Sequence, residues 1–271
     1  MTDRKTWPLA LSVGPGEMNA AALDAMAEAG ILQAELSSGK IGPYFEELEF
    51  PRRGRELVAM AREHGVEITS LHLPFLPFVR LDPASPFAAV RKNVVEKQTE
   101  LLRACGEAGI KLAVIHPSAE PYPEPARPRL LEASIDTLGK LCEAARENGV
   151  TLLAENLPRT CLGRTSDEML RFLRAIPELR AVFDTNHSLK EDNVHFIRAL
   201  GDKILSLHVS DYDFVDERHL LPLEGKNDWE AILSALEEVG YEGRFLYELR
   251  SGYSYARIAE NYRRLLGLRD A

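Results

Sequence analysis

The chain is short of cysteine, of positive charge and of long apolar runs, and each shortage excludes a class of protein. Only three cysteines occur among 271 residues, Cys105, Cys142 and Cys161, and none forms a C-x-x-C pair. So sparse a set argues against a disulfide framework and fits free thiols in a reducing cytoplasm. Lys and Arg number 33 against 42 Asp and Glu, a formal charge of -9. A surface that grips a phosphate backbone is normally net basic, so nucleic acid is a disfavoured partner. No stretch approaches the ~18–20 apolar residues of a membrane span. The apolar run Pro8–Val13 is too short for a signal-peptide core. The expectation is a soluble, cytoplasmic protein with no membrane partner. No G-x-G-x-x-G or G-x-x-x-x-G-K-[ST] follows the first apolar run, so the doubly wound nucleotide-binding folds lose their best signal.

What the chain does have is apolar residues, 45% of the total, enough for a sizeable core. Short Val-, Ile- or Leu-rich runs predict strands at Leu9–Val13, Leu32–Leu36, Ile68–Leu73, Leu112–His116, Thr151–Glu155, Ala181–Asp184, Ile204–Val209 and Phe245–Leu249. Amphipathic stretches between them predict helices at Asn19–Ala29, Arg55–His64, Ala88–Ala108, Arg129–Asn148, Asp167–Ala175, Val194–Leu200, Trp229–Val239 and Tyr255–Leu266. The phrases "EAGI", "EHGV", "ENGV" and "EVGY" repeat one pattern, a helix ending on glycine and feeding a strand. Eight such units, with strands apolar enough to be buried on both faces, predict an α/β fold. At this length they predict one (β/α)8 TIM barrel, a single domain over residues 1–271.

Barrel enzymes build their sites at the C-terminal strand ends. There the sequence places His72, His116, Glu155, Asp184, His187, His208 and Glu248, with Glu217 and His219 in the loop after the seventh strand. Five of the seven histidines fall at this rim; His64 and His195 sit in helix patterns and carry no signal. Glu, Asp, His and Glu ending four successive strands have no packing rationale. Buried carboxylates without a partner cost several kcal/mol each. A shared divalent cation (Mn, Zn, Co, Fe or Mg) removes that cost and suits this ligand set. Glu35, Arg159 and Arg250 are candidates for substrate contact, and Cys161 a small pocket-lining residue. Asn227 or Asp228 reads as a helix N-cap.

The segments "HPS", "ENLP", "DTNH", "LHVSD" and "HLLPLEGKNDW" resemble the xylose-isomerase-like, endonuclease-IV-like TIM barrel superfamily, in its sugar phosphate isomerase/epimerase branch. The likeness covers essentially the whole chain. It implies a metal held by Glu155, Asp184, His208 and Glu248, and a carbohydrate isomerised or epimerised through a metal-stabilised enediolate. Glu155 and Glu248 would be the acid/base pair. His72, His116, His187, His219 and Glu217 would contact substrate or hold further metal. The endonuclease-IV branch, a multinuclear zinc phosphodiesterase, has matching ligands too, with Glu217 standing where that branch has Asp. A lyase acting on oxidised sugars would use the same metal site. The partner implied is a small carbohydrate, and a homo-oligomer is a candidate assembly.

Overall fold

A computed structural model describes residues 2–267. Eight strands appear: β1 Leu9–Val13, β2 Gln33–Leu36, β3 Glu67–His72, β4 Leu112–Ile115, β5 Thr151–Glu155, β6 Arg180–Asp184, β7 Ile204–His208 and β8 Phe245–Tyr247. The α-helices are α1 Ala20–Glu28, α2 Phe50–Glu63, α3 Phe78–Leu81, α4 Ala88–Ala108, α5 Arg127–Glu147, α6 Ser166–Ala175, α7 Asn193–Leu200, α8 Trp229–Glu238 and α9 Tyr255–Leu265. From β1 to β7 each strand pairs in parallel with the next, and β1 pairs with β8. A parallel bridge from Val209 to Tyr247 joins the ends of β7 and β8. The result is a (β/α)8 barrel.

Local chemistry explains the helix ends. α4 stops at Gly109, whose φ of 85° lies in the left-handed region that only glycine adopts freely. α8 starts behind Asp228, whose side chain accepts the Ala231 N–H at 3.1 Å. α2 begins at Phe50, ahead of the amphipathic pattern, because Pro51 presets the first turn.

Two apolar layers follow from strand alternation. Outward residues such as Leu152, Ala154, Ala181 and Phe183 pack under the helices in the main core. Inward residues Val114, Leu153 and Val182 form a separate small cluster inside the barrel. Two residues further along those same strands come His116, Glu155 and Asp184, so the period of two carries polar side chains directly above the apolar plug.

Candidate metal centre and active site

Two register shifts aim the polar residues. Ala181 pairs with Ile204, but Val182 then pairs with Ser206, so Asp184 comes level with His208 rather than Leu207. In the same way Ala34 pairs with Ile68 while Glu35 pairs with Ser70. Each extra residue turns a partner strand by one position and swaps the face presented, as bulges beside active sites do.

Glu155, Asp184, His208 and Glu248 offer ligand atoms that all lie within 4.8 Å of one another. His208 Nδ1 stands 2.9 Å from Glu155 Oε1, 3.3 Å from Glu248 Oε2 and 4.0 Å from Asp184 Oδ2. Glu155 also faces His72 Nε2 at 3.0 Å and His116 Nε2 at 3.2 Å. The group is buried except for Glu248, whose side chain is 22% exposed and faces the opening.

Charges this close perturb one another. Burial pushes the Asp184 carboxyl well above the usual carboxylate range, and the nearby charges of Glu155 and Glu248 push it further. Burial also opposes the Glu155 charge, but His208, His116 and His72 outweigh it and hold that carboxyl well below its ordinary value. For His208 burial disfavours the cation, yet Glu155, Glu248 and Glu35 hold its pKa well above the ordinary value. Asp184 Oδ2 is buried with no hydrogen-bond partner, a costly arrangement that a cation would relieve. Three carboxylates and one imidazole, converging on an orphaned oxygen, are the donor set of a divalent first-row metal. The residues therefore fit the ion that the sequence implied.

A second group, His187, Glu217 and His219, lies beside the first. His187 Nδ1 is hydrogen-bonded to the Asn156 carbonyl at 2.8 Å, leaving Nε2 facing Glu217 at 4.0 Å. His219 has a φ of 46°, a strained conformation for a non-glycine residue. Its Nδ1 lies 3.2 Å from the Glu248 carbonyl oxygen. A cavity of about 130 Å³ opens over both groups, lined in part by Phe75, Phe78, Cys161 and His116. The Phe75 ring stacks on His116 with centroids 3.9 Å apart.

One expected contact comes out differently. Glu35 does not line the pocket: it is fully buried, with one oxygen facing His208 Nε2 at 2.9 Å and the other accepting from Ser70 Oγ at 2.8 Å. Arg159 lines the cavity over the site, with its guanidinium already engaged by carboxylates. It is paired with Glu120, with Asp216 at 2.8 Å and with Glu217 at 2.7 Å, tying the loops after β4, β5 and β7 together. Arg250, by contrast, is exposed and lines a groove of about 710 Å³ that runs from Glu248 over the ends of β1 and β2. His64 and His195 pair with Asp24 and Glu191, away from the site.

The model of one protein family, the xylose isomerase-like TIM barrel, matches residues 23–268. The chain belongs to that family. Among curated proteins it is 29% identical over 206 residues to the uncharacterised protein MJ1311 of Methanocaldococcus jannaschii, covering 71% of this chain and 68% of that one. It is 29% identical over 143 residues to fructoselysine 3-epimerase of Escherichia coli O157:H7, covering 48% of this chain and 52% of that enzyme. The chain thus spans about half the length of the curated epimerase it matches. A solved D-tagatose 3-epimerase-like protein superposes with a TM-score of 0.79 at 23% identity, over 95% of this chain and 98% of the other. D-psicose 3-epimerase from Clostridium cellulolyticum H10, crystallised with D-tagatose, gives 0.72 at 20% identity over 94% and 93%. At these identities the structural likeness establishes the barrel.

Sequence reasoning overlooked two residues of this xylose isomerase-like site. Asn156 directly follows Glu155 and clamps β6: its Oδ1 accepts the Asp184 N–H at 2.6 Å and its Nδ2 donates to the Asp184 carbonyl at 3.0 Å. Asp211 organises the loop behind His219, accepting from Leu223 N, Asn227 N and Trp229 Nε1 at 2.9–3.0 Å. Both lie inside quoted motifs, so the signal was present, but it reads as architecture rather than chemistry. The glycine of "LEGKNDW" belongs to the same arrangement. A Cβ on Gly225 would sit 2.3 Å from Asp211 Oδ1 and 2.5 Å from the Tyr212 carbonyl oxygen. Gly225→Ala is expected to cost roughly 1–3 kcal/mol, the usual range for overpacking. Chemical denaturation would check this, and a midpoint equal to wild type would refute the close approach.

Proposed function

We propose that this protein is a divalent-metal-dependent sugar epimerase or isomerase, inverting a ketose carbon next to its carbonyl. One observation supports this above the rest: two carboxylates, Glu155 and Glu248, flank a single ligand cluster from strands separated by β6 and β7. The epimerase names of the curated relative and of the structural neighbours point the same way. Glu155, Asp184, His208 and Glu248 would hold the ion. When bound, it would supply Lewis-acid polarisation of the carbonyl and adjacent hydroxyl, acidifying the C–H between them.

The chain's own residues do the rest. One carboxylate takes the proton from one face of the substrate carbon, and the other returns a proton to the opposite face. Service from one face only gives aldose–ketose isomerisation instead. Asp184 and Asn156 fix the cluster, while His187, His219 and His116 orient hydroxyls in the small cavity. The larger groove, with Arg250 on its wall, receives the part of the substrate remote from the reacting carbon. At about 710 Å³ it falls within the range of roughly 300–1,000 Å³ usual for ligand sites.

A second reading is favoured by the additional ligand groups around His72 and around His187, Glu217 and His219: a multinuclear zinc phosphodiesterase. Elemental mass spectrometry of the purified protein separates the two. The expected result is about one readily exchanged divalent ion per chain, the capacity of one four-ligand cluster, with turnover of a ketose lost on chelation and restored by metal. About two or three tightly held zinc ions, together with cleavage of abasic-site DNA, would overturn it.

A further inference from the structure

Glu35 is a buried carboxylate that the proposed reaction leaves unused. It stands on β2 with no solvent exposure, and His208, across the barrel on β7, is equally buried. Isolated burial of such a charge is expensive. Its two hydrogen bonds are therefore informative. Ser70 Oγ donates to one oxygen at 2.8 Å, and His208 Nε2 meets the other at 2.9 Å. Glu35 accepts in both. With the Nε2 proton committed to Glu35, a neutral His208 has its lone pair on Nδ1. Nδ1 is the atom that faces Glu155, Glu248 and Asp184.

The backbone is arranged to make this contact. Without the register shift after Ala34, Glu35 would lie beside Thr69, whose side chain turns to the other face and donates to the Ala34 carbonyl. The shift brings Ser70 alongside instead, on the face that also carries His72. The His72 ring stacks against His208 with centroids 5.6 Å apart and planes at 21°, so the imidazole is held from the side as well.

We propose that Glu35 is a positioning residue, which with Ser70 fixes the tautomer and ring orientation of His208 and so strengthens the grip of the four-residue cluster on a divalent cation. This rests on the metal-dependent reading above. A carboxylate on the far nitrogen makes a ligating imidazole a better donor, and loss of such a partner typically weakens metal binding by about 10–100-fold.

The test uses the full chain stripped of metal, titrated with Mn²⁺ and with Zn²⁺ against a competing chelator. Glu35→Gln keeps the shape and still accepts from Nε2 but removes the charge. It is expected to bind both ions about 10–100-fold more weakly while keeping the wild-type circular dichroism spectrum. Ser70→Ala, which deletes only the outer link, is expected to give a smaller loss in the same direction, and stands in if the Glu35 variant does not fold. ¹⁵N-histidine NMR of the zinc-loaded wild type should show His208 protonated on Nε2. Wild-type affinity in Glu35→Gln, or a metal-bound Nε2, overturns the role of Glu35. A wild-type chain that takes up neither ion overturns the metal-dependent reading itself, so the two failures are distinct.

Discussion

Replacing Glu155 by Gln is expected to abolish turnover, by about 10³-fold or more, while leaving the barrel folded. General acid/base catalysis alone is worth about 10²–10⁴-fold, and Glu155 also belongs to the four-residue cluster proposed to hold the ion. Its carboxylate is the point where three imidazoles meet: His72 at 3.0 Å, His116 at 3.2 Å and His208 at 2.9 Å. Gln presents one oxygen and one NH2, so at least one of these contacts becomes donor against donor unless a ring changes tautomer. The substitution keeps side-chain volume, and the β5 backbone remains paired with β4 and β6. Circular dichroism should therefore match wild type. Steady-state kinetics and metal content measured on the same preparation decide the matter. A folded, metal-loaded variant turning over at near wild-type rate would remove Glu155 from the chemistry.

Much of this site was legible because the barrel turns a one-dimensional pattern into a ring. Any strand that is apolar up to its last residue, then ends in Glu, Asp or His, places that residue at the mouth. β5 and β6 end on Glu155 and Asp184, and β7 on His208. His116 and Glu248 lie one residue beyond β4 and β8. α4 occupies the predicted Ala88–Ala108 because its amphipathic period runs unbroken over 21 residues and stops at a glycine.

What escaped depends on pairings between distant segments. Arg159 reads in sequence as a free cation in a loop. Its partners Glu120 and Asp216 lie 39 and 57 residues away, and no local period points to them. Glu35 reads as a rim residue because alternation places it inward, but alternation does not show that His208 reaches across to meet it. The register shifts that aim Ser70 and Asp184 are equally silent, since a bulge adds a residue without changing composition. The short α3 and the helical turn at Pro43–Glu47 span too few residues to establish a period.

The two proposed acid/bases, Glu155 and Glu248, are not equivalent, and this leads to the second large effect. Glu248 lines the groove with its side chain 22% exposed, whereas the Glu155 side chain is 1% exposed and ringed by histidines. A proton on Glu248 exchanges with solvent readily, and one on Glu155 is shielded. In D2O the wild-type product should therefore carry deuterium at the inverted carbon when Glu248 delivers the hydrogen. In the reverse direction Glu248 takes the substrate's hydrogen and Glu155 delivers its own, so the product carries solvent deuterium only once the shielded Glu155 has exchanged. Glu248→Gln is expected to lose about 10³-fold or more of net turnover, by the same acid/base reasoning, yet still remove a proton through Glu155. Deuterium should then enter unreacted substrate slowly, without epimer forming. Glu155→Gln, with Glu248 intact, should exchange the other epimer's hydrogen faster. NMR of recovered sugar reads both rates, with metal content checked for each variant. Equal loss of exchange and turnover in two metal-loaded variants would overturn the assignment of one face of the substrate to each carboxylate.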